Sequence, residues 1–97
     1  MQKFWPENID AIYKSHRTLL VALIDQKKFN DMYNLGAQLE IIFKELIDEI
    51  SESELSRALT SLNKKVKKLK EAASYKNRII AILALNALDD LYFEEAK

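Results

Sequence analysis

The sequence predicts an all-α protein, and its composition and apolar periodicity are the observations that predict it. The 97 residues include one glycine and one proline, whereas average usage is roughly 7% and 5%. A β-sheet needs turn residues such as glycine and proline between its strands, and this chain contains almost none of these two. Apolar residues make up 48% of the chain and recur at spacings of three and four, the period of an amphipathic helix. We therefore predict a single helical domain over residues 1–97, an antiparallel three-helix bundle.

Helix 1 is predicted over about residues 6–27. Pro6 suits the first helical position. The backbone N–H of any residue there has no partner within the helix, so proline loses nothing by lacking one. Phe4 and Trp5 just before it could staple onto the first turns of the helix or anchor a partner. One stripe of the helix carries Ile9, Ile12, Tyr13, His16, Leu19, Leu20, Leu23 and Ile24.

Helix 2 is predicted over about residues 30–50. The single glycine, Gly36, lies inside it, although glycine in a helix interior costs roughly 1 kcal/mol relative to alanine. We interpret Gly36 as a point of close approach to helix 1; a notch that faces a partner is the alternative. The apolar stripe of this helix consists of Met32, Leu35, Leu39, Ile42, Leu46 and Ile50.

Helix 3 is predicted over about residues 52–95. Ser51 and Glu54 have the spacing of a capping box, which marks a helix start. A helix of this length would extend roughly 67 Å, about twice the roughly 30 Å of helices 1 and 2. Either the chain bends near Ser74, giving four helices, or the second half projects beyond the hairpin. We favour one long helix, continuous or kinked, because no glycine or proline stands near Ser74. Its first half has a seam of Leu55, Leu59, Leu62, Val66, Leu69 and Ala73.

Charge and hydropathy argue against nucleic acid and against a membrane as binding partners. The formal net charge is zero, so no overall field attracts nucleic acid. Val66 and Leu69 interrupt the lysine run of residues 64–70. We therefore interpret these lysines as the solvent-exposed face of an amphipathic helix rather than as a nucleic-acid site. The near-apolar run of residues 79–88 is half of the roughly 20 residues that a membrane span requires. The chain has no cysteine and no apolar leader at its start, so we expect a cytoplasmic protein without membrane insertion.

No pattern in the chain indicates catalysis. It lacks a nucleophile–base pair, a glycine-rich phosphate loop and a cluster of metal ligands, so we predict no catalytic residue, no cofactor and no metal site. Residues 79–93 are apolar over most of the helix circumference, which indicates a surface for another helix. We predict that this surface binds a protein partner with amphipathic helices through Ile79, Ile80, Ile82, Leu83, Leu85, Leu88 and Tyr92.

The order of segments resembles the FliT-type flagellar export chaperones over roughly residues 9–93. The likeness lies in the paired aliphatic residues 19–24, the basic turn of residues 27–31, the polar break of residues 51–54 and the leucine-rich end of the last helix. Lys28 departs from the family pattern, which has a small residue before the aromatic. The resemblance implies a cytosolic chaperone that masks the amphipathic terminal helices of a filament-cap or hook-associated subunit until export.

Two other functions would use the same surface. The chain could form a homodimer in which the last helix pairs with its symmetry mate. It could also be a homodimeric adaptor or regulator that binds and masks a protein such as a transcription factor. The sequence leaves these alternatives open.

Overall fold

The described part of the chain folds into four α-helices. The computed structural model describes residues 4–95, so the predicted domain limits at residues 1 and 97 lie outside the described residues. The helices are α1 (Glu7–Asp25), α2 (Phe29–Glu49), α3 (Ser53–Ala73) and α4 (Arg78–Glu95). The all-α prediction is confirmed.

Each helix packs against the next one along the chain, and α4 closes the ring by packing against α1. Arg78 at the start of α4 binds Asp25 at the end of α1, while Tyr92 near the end of α4 donates to Asp10 near the start of α1. The two helices therefore run antiparallel. The bundle measures 37 × 27 × 18 Å along its principal axes.

The prediction of a three-helix bundle with one helix over residues 52–95 is wrong, and the alternative of a break near Ser74 is confirmed. Two residues at the turn account for the break. Lys76 adopts a left-handed conformation with φ 52°, which a helix cannot continue through. The Asn77 side-chain oxygen then accepts hydrogen bonds from the backbone N–H groups of Ile79 and Ile80 at 2.9 and 3.1 Å, so Asn77 acts as the N-cap of α4.

Two smaller predictions are also wrong. The capping box does not form, because α3 begins at Ser53 after Glu52 and has no side-chain cap hydrogen bond. Gly36 does mark a close approach, but the neighbour is α3 and not helix 1. A Cβ atom added at Gly36 would lie 3.3 Å from the Cβ and 3.5 Å from the Cα of Lys70. The backbones of α2 and α3 therefore meet closely at this point.

The core follows the predicted stripes. In α3 the seam residues Leu59, Leu62, Val66 and Leu69 are fully buried. In α1 and α2 the fully buried stripe members are Ile9, Tyr13, Leu20, Ile24, Met32 and Leu39. The other members of the α2 stripe, Leu35, Ile42, Leu46 and Ile50, are partly buried against the core. Phe43, outside the predicted stripe, is buried, whereas Leu19 of the α1 stripe is 54% exposed. Periodic apolar spacing thus predicted the inward face of each of these three helices.

The turn between α1 and α2 also depends on a lysine in the left-handed region. Lys27 has φ 57°, and its N–H donates to the Ile24 carbonyl while the Lys28 N–H donates to the Leu23 carbonyl at 2.9 Å. This pair of bonds is a Schellman motif, in which glycine normally holds the left-handed position.

We expect Lys27→Gly to raise the free energy of unfolding by about 1 kcal/mol, because glycine relieves the cost of the left-handed backbone. Lys28 has φ −90°, so Lys28→Gly gains no such relief and only adds freedom to the unfolded chain. Urea denaturation followed by circular dichroism compares the two variants. A Lys27→Gly variant no more stable than the parent would contradict this account.

Candidate functional site

Helix α4 has two seams at the same 4–3–4 spacing. The inward seam, Ala81, Leu85, Leu88 and Tyr92, is buried in the bundle. The outward seam consists of Ile79, Leu83, Asn86, Asp90 and Phe93, and all five residues are exposed. Most surface helices are apolar on one side only. The outward seam is therefore the candidate binding surface.

The structure divides the residues predicted to bind a partner into two groups. Ile79 and Leu83 are 67% and 62% exposed, and Ile80 is 38% exposed. Ile82 is partly buried against the core. Leu85, Leu88 and Tyr92 are at most 5% exposed, because they hold α4 against the rest of the bundle. These three side chains are not accessible to a partner in the folded chain, and partner binding itself stays a prediction.

A stack of three aromatic rings joins α4 to α1. Tyr92 lies between Trp5 and Tyr13, with ring centroids 5.2 Å and 3.9 Å away and planes within 3° and 9° of parallel. The Trp5 indole N–H also donates to the Tyr92 carbonyl at 2.8 Å. Trp5 is 3% exposed, so it serves as part of the core. The stack fixes the rotation of α4 about its own axis and so keeps the outward seam pointing to solvent.

A polar network lies beside the stack. The Tyr13 hydroxyl donates to Asp89, and the Arg17 Nε donates to both carboxylate oxygens of Asp89 at 2.9 and 2.8 Å. Asp89 is only 9% exposed, and a buried carboxylate is stable only when it is paired in this way. The network therefore sets the register of α4 along α1.

Burial and hydrogen bonding hold both stacked tyrosines in their neutral form. Burial, together with the hydrogen bond to Asp89, raises the pKa of Tyr13 far above its usual range. Burial, together with the hydrogen bond to Asp10, likewise raises the pKa of Tyr92. Because an ionised phenolate would lose its donor proton and lie beside a carboxylate, both hydroxyls stay protonated and donate to these carboxylates.

Apolar periodicity did not predict this network. Asp89 follows Leu85 by four and so lies beside the inward seam. Tyr13 and Arg17 are likewise four apart on α1. An acid on an apolar face of one helix and a Tyr–Arg pair at helical spacing on another are the signals that could have indicated it.

The chain matches no protein-family model, no curated protein and no solved structure. Among residues 4–95 no group of three or more histidine, cysteine, aspartate or glutamate side chains could hold a metal ion. None of the helices in the same stretch has the length and apolar content to cross a bilayer.

A shallow groove between α1 and α2 offers a second apolar surface. It encloses about 410 Å³, and Leu19 on its edge is 54% exposed. It is lined by Leu19, Ala22, Leu23, Gln26, Asp31, Asn34, Leu35 and Gln38. Its polar residues carry one formal charge, at Asp31.

Proposed function

We propose that this chain is a non-enzymatic helical binding protein that masks an amphipathic helix of a protein partner. The observation that carries the proposal is the exposure of Ile79 and Leu83, 67% and 62%, one turn apart on a helix whose other side is already buried. Contiguous exposed apolar patches are typical of interaction sites. An apolar face docks against such a pair in helix-in-groove recognition.

The resemblance to FliT-type chaperones supplies the finer form of the proposal. The partner would be a flagellar filament-cap or hook-associated subunit, held in the cytoplasm until export. The alternative is a homodimeric adaptor or regulator that masks a protein such as a transcription factor. Both functions need the same apolar surface, so the identity of the captured partner separates them.

The test compares two variants in cells that express the tagged chain. We expect Ile79→Asp combined with Leu83→Asp to lower the affinity for the partner by more than about tenfold, because each buried aliphatic side chain contributes roughly 1.5–3 kcal/mol. Ile41 of α2 is 60% exposed, and Ile41→Asp provides the matched control. Capture with quantitative mass spectrometry identifies the partner, and calorimetry with a peptide of its amphipathic helix measures the affinity.

Circular dichroism must first show that both variants keep the helical content of the parent. The proposal is overturned if the double variant captures the same partner at the same affinity. It is also overturned if Ile41→Asp loses the partner to the same extent, since the surface would then lie elsewhere.

A further inference from the structure

Asp90 interrupts the apolar surface that α4 presents to solvent. It follows Leu83 by seven residues and precedes Phe93 by three, and residues at these spacings lie on the same face of a helix. Leu83 and Phe93 are 62% and 48% exposed, and Asp90 is exposed between them. A helix that covered both apolar side chains would therefore also cover the Asp90 carboxylate.

Covering this carboxylate is unfavourable unless the covering helix brings a positive charge. A carboxylate that is taken out of water loses its hydration, and for this reason buried charges are almost always paired. Within residues 4–95 no ion pair includes Asp90, so the described part of the bundle does not neutralise it. The compensating cation would have to come from the bound helix.

The opposite side of α4 shows how the fold itself pairs such an acid. Asp89 lies beside the inward seam and is 9% exposed. Helix α1 covers it, and the Arg17 Nε donates to both of its carboxylate oxygens at 2.9 and 2.8 Å. A helix that covered the outward seam would meet Asp90 with the same requirement, which an arginine or a lysine fulfils.

Glu94 adds a second negative charge one turn further along α4. It follows Asp90 by four residues and is also exposed, and like charges at this spacing repel each other. No basic residue lies in the last turn of α4, where the helix dipole favours cations. The outward face is therefore apolar in its first half, at Ile79 and Leu83, and negatively charged in its second half, around Phe93.

We propose that the helix bound by the outward seam is both amphipathic and cationic, with an arginine or lysine of its apolar face placed against Asp90. Its apolar residues would meet Ile79 and Leu83, about two turns away from this base. The inference rests on the proposed function, because it names the chemistry of the helix that is masked there. A wholly apolar or an acidic helix would leave the Asp90 carboxylate covered and unpaired.

Selection from a displayed library of designed helices tests this chemistry without the natural partner. The library varies the residues on one face of the helix. Peptides are selected on the parent chain, and those that also bind the chain with Ile79→Asp and Leu83→Asp are removed. We expect the retained peptides to be enriched in arginine or lysine at one position, two turns from their apolar residues.

The outcomes of this selection separate the inference from the proposed function. Enrichment in apolar residues alone, or in acidic residues, overturns the cationic partner, while the outward seam still binds a helix as proposed. A selection on the parent that retains no peptide contradicts helix binding by this surface, and the inference falls with it.

Substitution of Asp90 then distinguishes a cationic helix from an apolar one. We expect Asp90→Arg to lower the affinity for a selected peptide by more than about tenfold, because like charges then face each other. Asp90→Leu should also weaken binding, since the base of the peptide loses its partner. An apolar helix would instead bind Asp90→Leu more tightly than the parent, because no carboxylate has to lose its hydration.

Calorimetry measures these affinities, and circular dichroism checks that the variants keep their fold, as expected for an exposed position. Asp48→Arg is the matched control. It makes the same change of charge at an exposed site on α2, which packs against α1 and α3 but not against α4, so its affinity should equal that of the parent. A peptide with glutamate in place of the base should recover binding to Asp90→Arg. Unchanged or tighter binding by Asp90→Leu overturns the inference.

Discussion

Replacing Asp89 with alanine is expected to lower the free energy of unfolding by about 3 kcal/mol. The Tyr13 hydroxyl would lose its acceptor inside the bundle, and the Arg17 guanidinium would lose both of its hydrogen bonds to the Asp89 carboxylate. The Arg17 side chain is 40% exposed, so water replaces part of the hydrogen bonding that it loses. Most of the decrease in the free energy of unfolding therefore comes from the buried Tyr13 hydroxyl. Urea denaturation monitored by circular dichroism measures the change.

Asp90→Ala is the matched control, since Asp90 is the next residue and exposed; a surface substitution of this kind usually changes stability by less than about 0.5 kcal/mol. Combining Asp89→Ala with Tyr13→Phe should cost less than the sum of the two changes, because the second removes the hydroxyl that the first leaves unpaired. Additive losses, or equal losses at Asp89 and Asp90, would show that the network does not hold α4.

The second large effect is a loss of stability in alkali. Tyrosine in an unfolded chain ionises near pH 10, whereas the raised pKa values of Tyr13 and Tyr92 keep both protonated in the folded bundle. Above pH 10 the unfolded state therefore binds fewer protons than the folded state, and the free energy of unfolding falls as pH rises. The expected slope is about 1.4 kcal/mol per pH unit for each tyrosine.

Urea denaturation between pH 8 and pH 11.5 follows this loss in the parent and in Tyr13→Phe. The variant should show the shallower slope above pH 10, since one of the two buried hydroxyls is gone. The hydrogen bond with Glu40 also raises the pKa of Lys70, which adds a loss of the same sign in both proteins and so cancels in the comparison. Equal slopes would contradict the assignment of the alkaline transition to Tyr13.

The parts of the fold that the sequence predicted are those that depend on periodic burial. Val66 and Leu69 belong to a seam that a single helix must bury, so their positions followed from spacing alone. The sequence favours one long helix over a break after α3, because each signal for the break is weak by itself. Lysine rarely adopts the conformation of Lys76, and Asn77 indicates a cap only once the helix is known to start there.

The residues predicted to bind a partner fall into a buried group and an exposed group for a related reason. Residues 79–93 showed that α4 was apolar on most sides, but not which side the bundle would cover. A projecting helix has no neighbour of its own, so the sequence predicts that Leu85 and Leu88 bind a partner. Once the turn at Lys76 brings α4 back onto α3 and α1, these residues become core, and Ile79 and Leu83 keep the outward position. Pairing of Asp89 with Tyr13 and Arg17 depends on this packing and so could not be read from one helix.

The stacking of Trp5 on Tyr92 provides a fluorescence signal for the packing of α1 against α4. Trp5 is the single tryptophan of the chain, and its hydrogen bond to the Tyr92 carbonyl spans 87 residues of sequence. Contacts between residues distant in sequence form slowly because the loop must be closed first, so we expect this contact to form after the intervening helices have docked. Indole fluorescence therefore reports the meeting of α1 with α4, while circular dichroism reports the helices themselves. The parent chain thus carries, without any added dye, separate probes for helix formation and for the closure that orients α4.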